Sequence, residues 1–291
     1  MEISSEIIHT PPRDAATVII LRDAPAGLEV FLVKRHGLSD VLGGAYVFPG
    51  GKLDDSDAQL DEALHLDQPA HQLHTALGEP ELSPQIAKGL FVAALREAFE
   101  ECGVLFAQGA TPDHSAALAQ QLKDGRMFNL ALAEAGLRLQ TQAVAPWSRW
   151  VTPKMPSISS KRFDTRFFVA ALPTDQVARH DDVETTQSVW LTPRAALTQY
   201  WARDIEMAPP QIMTLAHLSR FADVAGALQW ARSQAPALIQ PEPFDANGER
   251  VLTYPSDPWH SVKTRAMPGP TRLCYRNKRF EPELGFEALF S

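Results

Sequence analysis

The sequence predicts an α/β protein in which strands and helices alternate along one large domain. Two β-branched, apolar runs near the start, ATVIILR at 16–22 and LEVFLVKR at 28–35, are typical of buried strands. Residues 86–106, IAKGLFVAALREAFEECGVLF, instead repeat their apolar residues at helical spacing. The same two kinds of pattern return later, with strands predicted at 147–153, 162–172 and 185–193 and helices after them.

The first two strands form a predicted hairpin, because only a Pro/Gly turn at 23–27 separates them. Arg35 ends the second strand and is a candidate for contact with an anionic ligand; an ordinary exposed strand end is the alternative. A short aromatic strand then runs into Pro-Gly-Gly at 49–51. Without side chains the backbone can turn sharply there and approach a metal or a phosphate closely.

Residues 52–85 change character, being rich in Asp, His, Gln and Leu. They are predicted to form an insertion with one or two short helices. His65, His71 and His74 lie in it, but no cysteine accompanies them and their spacing fits no common zinc pattern. We therefore expect surface histidines there.

The remaining elements are mostly helical. Helices are predicted at 113–123, 126–136, 194–202, from Pro209 through QIMTLAHLSRF, and at 222–234. Prolines become frequent from 236 onward, so we expect extended segments and loops wrapped on the main body rather than a second domain. The whole chain, 1–291, is predicted to be a single domain.

Composition limits the classes of function. The 291 residues include 45% hydrophobic and 21% charged side chains, which is ordinary for a globular protein. The net charge of −8 and the lack of a basic stripe argue against a nucleic-acid partner. Two cysteines do not make a disulfide framework. We expect a cytoplasmic protein without a membrane partner, since the sequence has neither signal-peptide features nor a long apolar run.

The helix at 86–106 carries an unusual set of charges, Arg96-Glu97-x-x-Glu100-Glu101. At helical spacing the three glutamates fall within an arc of about 100°, opposite the apolar Phe99. Like charges at these spacings repel by about 0.2–0.5 kcal/mol a pair, and Arg96 alone offsets this within the helix. Crowded carboxylates suit a hard divalent cation; a solvated acidic face is the alternative.

Joined to FPGG at 48–51, this helix resembles the Nudix box, G-x5-E-x7-R-E-U-x-E-E-x-G-U, where U is a bulky apolar residue. The second half matches at every fixed position, namely Arg96, Glu97, Phe99, Glu100, Glu101, Gly103 and Val104. Asp57, the sixth residue after Gly51, stands where the motif has its first glutamate. From Asp57 to Arg96 there are 38 intervening residues where the motif has 7, an insertion of 31.

The interrupted box is similar to the Nudix branch that includes peroxisomal coenzyme A diphosphatases. This resemblance implies a Nudix-type α/β/α sandwich around a mixed β-sheet, with added C-terminal helices and extended segments. The core would span about 15–220, the insertion about 58–85 and the C-terminal extension about 221–291.

The resemblance also implies a function: metal-dependent hydrolysis of the diphosphate linkage in a nucleoside diphosphate joined to another moiety. Coenzyme A or an acyl-CoA is one candidate substrate; ADP-ribose, NADH and nucleotide sugars are alternatives. Mg²⁺ or Mn²⁺ would be the cofactor, and a homodimer is expected because many members dimerise. A non-catalytic nucleotide-binding regulator is the alternative from another class.

By position in the box, Glu97, Glu100 and Glu101 would bind the metal together with the backbone carbonyl of Gly50. Glu97 would alternatively act as the base, and Arg96 would orient the carboxylates. Outside the box, the acidic loop at 180–187 offers Asp181, Asp182 and Glu184, of which Glu184 is favoured as a base or extra ligand. Arg162 and Arg166 alternate with phenylalanines and would bind substrate phosphate; an ion pair with Asp164 is their alternative role.

Overall fold

A computed structural model describes residues 7–37, 42–155, 161–181, 184–246 and 248–291. The strands are β1 (Arg13–Ala24), β2 (Gly27–Arg35), β3 (Tyr46–Val47), β4 (Gly50–Lys52), β5 (Val144–Val151), β6 (Phe163–Ala171), β7 (Thr185–Leu191), β8 (Ala237–Ile239), β9 (Glu242–Ala246), β10 (Glu249–Thr253), β11 (Arg272–Arg276) and β12 (Arg279–Pro282). The helices are α1 (Asp55–Gln59), α2 (Glu62–His65), α3 (Ala70–Leu77), α4 (Pro84–Cys102), α5 (Pro112–Lys123), α6 (Phe128–Glu134), α7 (Pro193–Ala202), α8 (Pro209–Leu218) and α9 (Val224–Ser233).

Eight strands form a mixed sheet in the order β3-β2-β1-β6-β5-β8, with β4 pairing on β1 and β7 on β2. The central pair, β1 and β6, is parallel, whereas β1 and β2 form the predicted antiparallel hairpin. The prediction of a mixed sheet is confirmed.

The two faces of this sheet face two separate hydrophobic cores, because successive residues of a strand point to opposite sides. On β1, Val18 and Ile20 belong to the first core, which α4 and the insertion complete. Ile19 and Leu21 belong to the second core, which contains residues of α7, α8 and α9. Helices thus cover both faces, which confirms the predicted α/β/α sandwich.

The central helix, α4, is shorter than the predicted 86–106. It starts where the Ser83 side chain accepts a hydrogen bond from the N–H of Ile86, with Pro84 in the first turn. It ends at Cys102 because Gly103 adopts a left-handed conformation with φ 69°. Almost the whole helix is buried, including the charged Arg96 and Lys88.

Residues 52–85 contain three short helices, α1, α2 and α3, where one or two were predicted. His65 and His74 each contact a backbone carbonyl, of Leu137 and Glu79 respectively, and are not gathered into a cluster. In the described ranges, no group of three His, Cys, Asp or Glu side chains is placed to hold a metal ion. Nor is any helix there long and apolar enough to cross a membrane.

The C-terminal region has more structure than the sequence indicated. Strands β9 to β12 form a four-stranded antiparallel sheet, and β8 joins the main sheet beside β5. Asn277 and Lys278, with φ 51° and 63°, make the tight turn between β11 and β12. Leu252 and Phe280 pack into the second core, so the expectation of extended segments and loops alone was incomplete.

Candidate active site

A cleft of about 700 Å³ opens over the second face of the sheet, at the end where β1 and β6 begin. One end is lined by Gly50, Gly51, Arg96, Glu97 and Glu100, with Arg35 and Glu184 beside them. The other end is lined by aromatic and apolar residues. Arg96, Glu97 and Glu100 therefore lie at one end of a long cleft, and Glu101 lies beside it against Gly50.

Two glycines let the helical carboxylates reach this cleft. Gly50 and Gly51 of β4 pair with Thr17 and Ala16 of β1. A Cβ atom on Gly51 would collide with the carboxylate of Glu97, and one on Gly50 would lie 2.8 Å from the Cα atom of Thr17. No side chain fits at either position, because β1 approaches Gly50 closely and Glu97 of α4 approaches Gly51 closely.

Arg96 is the centre of the polar contacts at this end. Its Nη1 atom donates to Glu97 Oε1 at 2.7 Å and to Glu100 Oε2 at 2.8 Å, and its Nη2 atom to the carbonyl of Lys52 at 2.9 Å. Burial alone would lower the pKa of Arg96, but the facing carboxylates raise it above its ordinary value. Arg96 therefore stays charged and fixes the direction of two carboxylates.

Asp57 holds Arg96 from the other side. Arg96 Nε donates to Asp57 Oδ1 at 2.9 Å and Nη2 to Oδ2 at 3.0 Å, while Asp57 also accepts from the N–H of Asp54 and so caps α1. Only 1% of Asp57 is exposed. It does not line the cleft, so it acts on the site through Arg96.

Burial gives the three glutamates unusual proton affinities. Desolvation, opposed by the charge of Arg96, raises the pKa of Glu97 to about 7. Glu101 is buried too, and its pKa lies well above its usual range although its Oε2 accepts from the N–H of Gly50 at 3.2 Å. Burial also raises the pKa of Glu100. Glu97 and Glu101 are buried and Glu100 is partly exposed, and together these three carboxylates outnumber the two arginines, Arg96 and Arg35, that act on them.

These residues fit a hard divalent cation in chemical type and in charge. In the described residues they do not converge on one point, because Glu97 and Glu100 turn to Arg96 and Glu101 turns to Gly50.

Of the acidic loop, Glu184 lines the cleft, and its charge adds to the raised pKa of Glu97. Asp181 instead accepts from the backbone N–H groups of Glu184 and Thr185. Asp182 lies outside the described residues. Arg35 also lines the cleft, where its charge opposes the rise in the pKa of Glu101.

Arg162 and Arg166 point to the other face of β6. Phe163, Thr165 and Phe167 line the cleft, so the alternating residues Arg162 and Arg166 point to the opposite face. Arg166 is 2% exposed and forms a two-bond ion pair with Glu79, at 3.0 and 2.6 Å. Arg162 donates to backbone carbonyls. The prediction of substrate binding by these arginines is corrected: both make structural contacts away from the cleft.

The far end of the cleft was missed from the sequence. Trp150 and Phe167 form part of its floor, and residues of α8, β10 and β12 form a wall. The alternating phenylalanines of RFDTRFF were a signal for the floor. Nothing in the sequence pattern placed the C-terminal residues opposite them.

Comparisons with known proteins agree with the geometry. Residues 68–218, about half of the chain, match the family model described as NUDT19 Nudix domain. The curated protein Acyl-coenzyme A diphosphatase NUDT19 of Xenopus laevis is 27% identical over 231 residues, which cover 67% of this chain and 61% of that protein. The protein of the same name from Homo sapiens is 27% identical over 241 residues, covering 70% and 64%. This chain thus spans less than two thirds of the length of these two relatives.

A solved structure also resembles this one. The crystal structure of a NUDIX hydrolase from Alicyclobacillus acidocaldarius superimposes with a TM-score of 0.61 at 27% identity. The superposition covers 78% of this chain and 98% of that chain. Most of the sandwich is therefore shared with it.

Proposed function

This chain belongs to the NUDT19 Nudix domain family, and on that premise we propose that it hydrolyses the diphosphate linkage of coenzyme A or an acyl-CoA with the help of Mg²⁺ or Mn²⁺. The observation that carries the proposal is the set of three glutamates on α4 beside Gly50 and Gly51: Glu97 and Glu100 line the long cleft, and Glu97 and Glu101 are buried. The printed names of two relatives favour the coenzyme A class of substrate.

Hydrolysis of a diphosphate needs charge neutralisation and an aligned water more than covalent help from the protein. A divalent cation, when bound, neutralises phosphate oxygens and lowers the pKa of a coordinated water. Glu97, Glu100 and Glu101, with the carbonyl of Gly50, would hold that cation. Their number is the reason that a purely binding role is the weaker alternative.

The chain's own residues would do the remaining work. Arg96 holds Glu97 and Glu100 in place, and Arg35, beside them in the cleft, offers a positive charge to a phosphate oxygen. Glu97, with a pKa near 7, and Glu184 are the two candidates to accept a proton from the attacking water. Hydrolysis adds water across one P–O–P bond, so coenzyme A would give 3′,5′-ADP and 4′-phosphopantetheine.

A substrate panel tests the proposal. The protein is incubated with Mg²⁺ or Mn²⁺ and coenzyme A, acyl-CoA esters, ADP-ribose, NADH, diadenosine polyphosphates or nucleotide sugars, and products are identified by mass. We expect the two coenzyme A fragments, and no product once EDTA is added. Cleavage of ADP-ribose alone would overturn the substrate; tight nucleotide binding without any product would favour a regulator.

Two variants test the residues. We expect Glu100→Gln and Glu101→Gln each to lower kcat/KM at least about 100-fold, because each removes a proposed metal ligand. Their far-ultraviolet circular dichroism should match the wild type. Glu134→Gln, an exposed glutamate of α6, makes the same chemical change outside the cleft and should retain full activity. Full activity in both cleft variants would contradict the assignment.

A further inference from the structure

The uncharged end of the cleft, here called the apolar lobe, has no part in the chemistry proposed above. Its floor is formed by Trp150, Phe163 and Phe167, and its wall by Gln211, Leu252 and Phe280. The wall comes entirely from the region after β7. The C-terminal region therefore completes the cleft as well as the second core.

The apolar lobe lies a definite distance from the carboxylates. The strands under the cleft follow one another in the order β4, β1, β6, β5, and Gly50, Thr17, Phe167 and Ser148 lie in register across them. Neighbouring strands are about 4.8 Å apart, so the floor residues on β6 and β5 lie about 10 to 14 Å from β4. A group in the lobe must therefore be joined to the diphosphate by a chain of about that length.

Two buried polar groups of the lobe have no hydrogen-bond partner among the described residues: the indole Nε1 atom of Trp150 and the carboxamide Oε1 atom of Gln211. Gln211 is 7% exposed, and none of the described residues donates a hydrogen bond to its Oε1 atom. Buried carboxamides are normally hydrogen-bonded, because burying one without a partner is unfavourable. Gln211 also lines the cleft, so a turn of its side chain presents the carboxamide to a ligand in the lobe.

We propose that the apolar lobe binds the uncharged, non-nucleotide arm of the substrate and that Gln211 hydrogen-bonds an amide group of that arm. This inference rests on the proposed function. It assigns to the apolar lobe the recognition of the substrate's non-nucleotide arm, and so the choice among diphosphate substrates. A carboxamide both donates and accepts, so it complements an amide in either orientation. The aromatic floor suits the aliphatic parts of such a chain, because removing apolar surface from water is favourable.

Calorimetric titration in EDTA, where no hydrolysis proceeds, tests the lobe separately from catalysis. Coenzyme A carries the arm, and 3′,5′-ADP is the nucleotide half without it. We expect Gln211→Leu to weaken coenzyme A binding about threefold to tenfold and to leave 3′,5′-ADP binding unchanged. The melting temperature of the Gln211→Leu variant should not fall below that of the wild type, since leucine removes an unpaired polar atom. Gln229→Leu, an exposed glutamine of α9, is the matched control and should bind both ligands like the wild type.

A second variant covers the case in which Gln211→Leu does not fold. Phe163 is only partly buried, so Phe163→Ala leaves the cores intact while removing part of the lobe floor. We expect wild-type affinity to rise from acetyl-CoA to octanoyl-CoA and this rise to be reduced in Phe163→Ala.

The outcomes separate the two proposals. If the wild type binds coenzyme A more tightly than 3′,5′-ADP but releases no fragments with Mg²⁺, the proposed function fails and the lobe assignment stands. If coenzyme A binds no better than 3′,5′-ADP, or if Gln211→Leu and Phe163→Ala bind every ligand like the wild type, the lobe assignment is overturned even if hydrolysis is confirmed.

Discussion

Asp57 is the departure from the Nudix box that the structure explains best, and Asp57→Asn tests the explanation. Both carboxylate oxygens accept from Arg96, at 2.9 and 3.0 Å, in a place that is 1% exposed. Asparagine has the same shape, but one oxygen becomes an NH₂ group that faces the donors of Arg96. One of the two charge-assisted hydrogen bonds is therefore lost without opening a cavity.

The expected cost follows from these contacts. A hydrogen bond to a charged group contributes about 1.5–3 kcal/mol, and removing one partner of a buried ion pair costs about 3–5 kcal/mol when the other is left alone. Arg96 keeps Glu97 and Glu100, so we expect the lower range, a loss of about 2–3 kcal/mol in the free energy of unfolding. Arg96 would also hold those two glutamates less firmly, which predicts a fall of about 10- to 100-fold in kcat/KM.

Urea unfolding and steady-state kinetics with a Mg²⁺ titration measure the two effects. Asp55→Asn is the matched control, because Asp55 lies in the same helix, is exposed, and makes no contact with Arg96. The role given to Asp57 is refuted if Asp57→Asn behaves like Asp55→Asn, with a change below about 0.5 kcal/mol in the free energy of unfolding and below twofold in kcat/KM.

Two further predictions concern close approach and pH. Gly51→Ala places a methyl group against Glu97 and should reduce kcat/KM about 10-fold or more. Gly37→Ala is the control, because a Cβ atom at Gly37 meets no neighbour within 4 Å and Gly37 does not have a positive φ. Burial lowers the pKa of His217 to about 4. Below pH 6.5 the unfolded chain therefore binds a proton that the folded chain does not, so the unfolding free energy should fall by up to about 3 kcal/mol between pH 6.5 and 4. His217→Phe should remove that part of the pH dependence in urea titrations; an unchanged slope would contradict it.

Sequence reasoning worked best where one short segment contains its own evidence. The charges and apolar spacing of α4, its terminating Gly103 and the Pro-Gly-Gly turn all follow from neighbouring residues. The hairpin of β1 and β2 is equally local. These elements carry one end of the cleft, so that end could be predicted.

The rest depends on contacts between distant segments. Alternation correctly put Arg162 and Arg166 on one face of a strand, but a pattern of period two does not say which face meets the cleft. Glu79, the partner of Arg166, is 87 residues away in the chain. The wall of the apolar lobe depends even more on distant contacts, because Leu252 of β10 and Phe280 of β12 lie opposite the floor only when the four-stranded sheet is in place.

The insertion shows why the two halves of the box can be so far apart in sequence. Lengthening the connection from 7 to 38 residues costs about 1.5 kcal/mol of loop-closure entropy. The insertion buries its own leucines in the first core, Leu60, Leu66, Leu73 and Leu77, and each contributes about 1.5–3 kcal/mol. Its chain is also held to α4 by Lys88, whose Nζ atom donates to the carbonyl of Leu60 at 2.7 Å. Since Asp57 is fixed before the insertion begins and Arg96 after it ends, the added residues lengthen the chain between them without moving either one.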